Sequence, residues 1–112
     1  MSENKKMAGN IIDGAEKYAN DFGNGKVDKI TLLRAVAAES RNSDNLEKIG
    51  QMGVECAKGE HGTGNVAALT DAIKSEARKA MNIIPADAMN IDPAEVCNAI
   101  GKRPYNKAAA VR

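Results

Sequence analysis

In three separate stretches, apolar residues recur at alternating steps of three and four. The first is Ala8, Ile11, Ala15, Tyr18 and Phe22. The second is Leu46, Ile49, Gly53 and Cys56. The third is Val66, Leu69, Ile73, Glu76 and Ala80, with Ala77 beside its one polar member. At 3.6 residues per turn each series falls on one side of an α-helix, and such stripes must be covered by one another or by a partner. Strand-like alternation does not compete. The only run rich in β-branched residues, 27–36, carries Asp28, Lys29 and Arg34 at helical intervals. The expected fold is therefore all-α: a small bundle of four main helices plus a short C-terminal helix and a flexible basic tail. Residues 1–101 are expected to form a single helical domain and 102–112 the tail.

Local signals set the boundaries. A helix over residues 5–22 ends in Gly23, Asn24 and Gly25, which accept positive φ. Asp28 suits the N-cap of a helix over 29–40. Ile30, Leu33 and Ala37, with Leu32 and Val36 beside them, give that helix a wide apolar face and make it the expected centre of the bundle. Asp44 and Glu47 have capping-box spacing for a third helix to residue 58, and Asn65 is placed to cap a fourth over 66–82. Pro85 excludes further helix, and residues 85–89 suit one short turn. Asp92, Pro93 and Glu95 form the strongest start signal, for a last helix ending at Gly101. Residues 23–27 and 62–66 echo one another, but chance accounts for two Gly-rich turns before helices.

Composition bounds the function. Aromatics make up 3% of the chain and apolar residues 43%, so the core rests on Ala, Ile, Leu, Val and Met. Small side chains allow close helix approach but bury little area at about 25 cal/mol per Å², which points to modest stability or help from self-association. A net charge of +1 gives no bulk attraction to nucleic acid or acidic membranes. No stretch nears the roughly 20 apolar residues of a membrane span, and no apolar signal core follows the N-terminus. A cytoplasmic location is expected, with Cys56 and Cys97 as reduced, half-buried thiols; a single bridge between them is the alternative.

No catalytic set emerges, and no cofactor or metal is expected. Residues 24–28 resemble the centre of a calcium-binding EF-hand loop. However, Asn20, Phe22 and Thr31 stand at the first, third and twelfth positions, where such a loop needs acidic oxygens, so a turn and a helix cap are expected instead. His61, the single histidine, lies five residues after Cys56. A thiol on a core-facing stripe makes a poor nucleophile, and three soft or imidazole ligands fall short of a zinc site. Gly62, Thr63 and Gly64 before a helix could offer N–H groups to an anion, though a plain connector fits as well.

The expected function is accordingly non-enzymatic: a small interaction or structural protein that binds itself or another protein through apolar helix faces. Met52, Met81 and Met89 suit an adaptable contact surface or gap-filling in the core. Candidate partner-binding residues are Met89 and the C-terminal Lys102, Arg103, Tyr105 and Lys107. The alternative is a nucleic-acid-binding regulator that uses the basic tail and the face of Lys26, Lys29 and Arg34. A helix-turn-helix form of that reading would present Asn45, Lys48 and Gln51 from the third helix, where Asp44, Glu47 and Glu55 oppose phosphate.

Overall fold

A computed structural model describes residues 2–23 and 25–101, with the backbone alone for Ser2 and Ser43. All regular structure among these residues is helical. Five α-helices, α1 (Ser2–Phe22), α2 (Lys29–Glu39), α3 (Leu46–Ala57), α4 (Gly64–Lys79) and α5 (Pro93–Gly101), are joined in part by two 3-10 turns, at Ser43–Asn45 and Ala86–Met89. The expected tail, with Lys102, Arg103, Tyr105 and Lys107, lies outside the described residues.

The stripes read from the sequence face inward for most of their length, although Leu46 at the start of the second is 42% exposed. Ala8, Ile11 and Ala15 of α1 meet Val66, Leu69, Ile73 and Ala77 of α4, with Ile49 and Met52 of α3 and Val96 and Ile100 of α5 in the same core. The centre differs from the expectation. Helix α1 makes the broadest contacts, with α4 on one side and α2 on the other. At 21 residues it is the longest element and spans both neighbours, whereas α2 has 11. The Gly14 position brings a would-be Cβ within 3.9 Å of the Ala35 side chain, so small residues set the close approach of α1 and α2. The α1 stripe also outruns its cover: Tyr18 is partly exposed and Phe22 is 75% exposed.

Two helix starts follow local chemistry. Asp28 caps α2 by accepting from the Thr31 backbone N–H and hydroxyl, both at 2.8 Å. Asp92 and Glu95 cap α5 reciprocally: the Glu95 N–H donates to Asp92 at 3.1 Å and the Asp92 N–H donates to Glu95 at 3.0 Å.

The Asp28 cap supports a prediction. The Thr31 backbone N–H, then the Thr31 hydroxyl, hold this carboxyl below its ordinary value of 3.8. A carboxyl depressed in the folded state stabilises above its unfolded pKa and loses that contribution as pH falls through the folded value. Asp28→Ala is expected to cost about 1 kcal/mol near neutrality. In urea titrations its gap from the parent should narrow below pH 3.8; a gap of constant size would show that the ionised cap is not the source.

Two other starts depart from the expectation. The Asp44–Glu47 box does not form; Asn42 accepts from the Asp44 N–H at 2.8 Å in a local turn, and the 3-10 turn leads into α3 instead. Nor does Asn65 cap α4, because it stands inside the first turn. Thr63 is the N-cap residue and makes no side-chain cap bond. Glu55 of α3 takes that role from outside: its carboxylate accepts from the Asn65 backbone N–H and side-chain amide, both at 3.2 Å. The start of α4 thus meets the chain's own carboxylate, which binds at Asn65 and lies where a Cβ on Gly64, at φ +54°, would stand 3.2 Å from it. The two Gly-rich turns are not equivalent either, since Val27 precedes α2 and Val66 lies within α4.

The cysteines require the largest correction. Cys56 of α3 and Cys97 of α5 are joined by a disulfide, not held as separate thiols. Packing of α5 on α3 brings their Cα atoms to 5.7 Å, within the usual range for such a bond. Cys56 is therefore not a nucleophile for His61, which lies exposed in the α3–α4 loop.

Candidate protein interface on helix α2

Helix α2 is apolar on two sides, and the fold covers one. Leu32, Ala35 and Val36 are buried against the bundle. The opposite ridge is Ile30, Arg34 and Ala37, continued by Arg41 beyond the helix end. Ile30, between Lys29 and Thr31 in the first turn of the helix, is 61% exposed and stands on one line with Arg34 and Ala37.

A groove lies on each side of this ridge. The one between α1 and α2 has a volume of 630 Å³; its floor is built from Gly14, Ala35 and Ala38, and its banks from Tyr18, Arg34 and Arg41. The one between α2 and α5, of 440 Å³, is lined by Ile30, Leu33, Asn98 and Ala99 among others. Arg34 and Ala37 line both, so the two grooves and the ridge form one continuous surface.

Arg34 is held in place. One guanidinium nitrogen donates to the Tyr18 hydroxyl at 2.6 Å, and the guanidinium carbon stands 5.5 Å from the centre of the Tyr18 ring. The Phe22 ring centroid lies 4.9 Å from that of Tyr18, which extends the aromatic surface along α1. Tyr, Phe and Arg are the residue types enriched at protein interfaces, because they offer broad contact area with a polar handle.

One end of the α1–α2 groove is fixed by a buried carboxylate. Glu39, in the last turn of α2, accepts from the side-chain amides of Asn10 at 3.1 Å, Asn42 at 3.3 Å and Asn45. A negative charge at a helix C-terminus opposes the helix dipole, and three amide donors offset that cost. Asn42 and Asn45 follow Glu39 closely in the chain, but Asn10 comes from α1, 29 residues away, and no local sequence reading finds it.

The other residues singled out from sequence are dispersed. Lys29 is paired with Glu95 at 2.9 Å. Lys26 is exposed in the loop before α2. Met89 is partly buried against the core, Met52 is fully buried and Met81 is 60% exposed, so the methionines do not form one surface. Of the helix-turn-helix candidates, Asn45 is buried on Glu39 and Lys48 donates to Asn65 at 3.2 Å, which leaves Gln51 exposed. Asp28 of the calcium-loop resemblance is engaged as the α2 cap. No described helix is long and apolar enough to cross a membrane.

No protein-family model, curated protein or solved structure matches this chain.

Proposed function

We propose that this chain is a non-enzymatic docking module that binds a protein through the outer face of α2. The observation that carries the reading is Ile30, left 61% exposed on the α2–α5 groove and in line with Arg34 and Ala37, which border both grooves, while Leu32 and Val36 on the inner face of the same helix are fully buried. A ridge flanked by grooves is the relief that helices use to pack on one another. Covering it removes apolar area from water at about 25 cal/mol per Å². The small floor residues Gly14 and Ala38 let a partner backbone approach closely.

A nucleic-acid role for Lys26, Lys29 and Arg34 has less support. Glu95 neutralises Lys29, and the grooves beside Arg34 are largely apolar. The Cys56–Cys97 bond supports an oxidising compartment over the reducing cytosol.

The test is site-specific photo-crosslinking in the native host extract. A photoreactive side chain at position 30 or 37 is expected to give discrete protein adducts, whereas one at position 78, on the exposed side of α4, is not. Equal labelling at all three positions would count against the α2 face.

A further inference from the structure

We infer that the partner of the α2 face is an amphipathic helix carrying two carboxylates about two turns apart. The inference rests on the docking role proposed above and adds the chemistry of what docks.

Most ionic groups on this surface are already satisfied within the chain: Lys29 by Glu95, and Glu39 by three asparagine amides. Two guanidiniums remain. Arg34 has one nitrogen on the neutral Tyr18 hydroxyl and attracts the Asp28 carboxylate without pairing with it, and its other donors make no hydrogen bond among the described residues. Arg41 is exposed and has no side-chain partner among the described residues. Neither forms an ion pair there.

Their placement narrows the partner further. Arg34 and Arg41 stand seven positions apart, on the order of 10 Å along the ridge. Ala37 lies between them and Ile30 a turn before. The surface therefore alternates apolar, basic, small, basic. A partner that buries Ile30 and Ala37 must place something opposite both guanidiniums or leave them desolvated, which is costly. A helix with a heptad-spaced pair of Glu or Asp residues, and apolar residues between them, meets both demands. A second copy of this chain, docked α2 on α2, would instead bring four arginines together. A nucleic-acid strand would gain two phosphate contacts but would leave the apolar ridge against a polar backbone.

Fluorescence anisotropy decides the matter with two labelled helical peptides. They share a Leu/Ala face and differ only in a heptad-spaced pair, two Glu in one and two Lys in the other. The Glu peptide is expected to bind the full chain at least about tenfold more tightly than the Lys peptide at low salt. The Arg34→Glu/Arg41→Glu variant, checked for unchanged helicity, should reverse that order. Equal affinity for both peptides, an order unchanged in the variant, or no binding of either at millimolar peptide would overturn the inference. So would tighter binding of an oligothymidylate that the variant loses, or association of the chain with itself through this face in light scattering.

Ile30→Asp separates this inference from the docking reading beneath it. If both peptides bind alike and both weaken on Ile30→Asp, the charge pairing fails while docking on α2 stands. If neither binds and crosslinking at position 30 matches that at 78, both fail.

Discussion

Removing the Cys56–Cys97 bond is expected to lower the free energy of unfolding by about 4 kcal/mol. The bond joins residues 41 positions apart, from α3 to α5, and so removes a large share of the freedom of the unfolded chain. Typical domains have only about 5–15 kcal/mol in total, so the loss would be a sizeable fraction of the stability. It should be severe for α5, a helix of 9 residues that is too short to persist without its tertiary contacts. Urea titrations of the oxidised chain, the reduced chain and a Cys56→Ala/Cys97→Ala variant would measure the effect. The reduced chain and the variant should unfold at similar, much lower midpoints. A reduced chain as stable as the oxidised one would show that helix packing alone holds α5.

Glu39→Ala is expected to cost about 3 kcal/mol, far above the effect of an ordinary surface change. The substitution strips the acceptor from three asparagine amides, including that of Asn45, which is buried. Glu39→Gln should recover part of the loss. Its one carbonyl oxygen can replace Oε2, which serves Asn10 and Asn45, but its amide would face the Asn42 donor as a second donor. Asn42 cannot simply turn over, because its own oxygen accepts from the Asp44 N–H. Equilibrium unfolding of the two variants tests the order. A Glu39→Ala protein within about 0.5 kcal/mol of the parent would mean that the cluster is solvated and that the end of the α1–α2 groove is not fixed by it.

The disulfide and the Glu39 cluster are different kinds of tie. The disulfide acts mainly on the unfolded chain, whereas the Glu39 cluster acts in the folded one by orienting the turn after α2 against α1. Both bear on the α2 face, since α5 forms one wall of its grooves and the Glu39 cluster closes the other groove at one end. Loss of either should therefore weaken docking indirectly. That is why the binding tests rely on Ile30, Arg34 and Arg41, which are exposed and hold no buried group in place.

The alternating three-and-four spacing in the sequence was enough to determine the all-helical class and the inward stripes of α1, α3 and α4. Cap residues determined the starts of α2 and α5, because a cap such as Asp28 with Thr31, or Asp92 with Glu95, is completed within one turn of the chain. The tertiary structure alone decided the rest. It joined Cys56 to Cys97, lent Glu55 of α3 to the start of α4, brought Asn10 of α1 onto Glu39, and left one side of α2 uncovered. The reason is physical: helix periodicity and caps are satisfied by neighbours a few residues away. A disulfide, a borrowed carboxylate or an exposed ridge depends instead on which distant segments the packing brings together, and a helix apolar on two sides does not itself say which side will be covered.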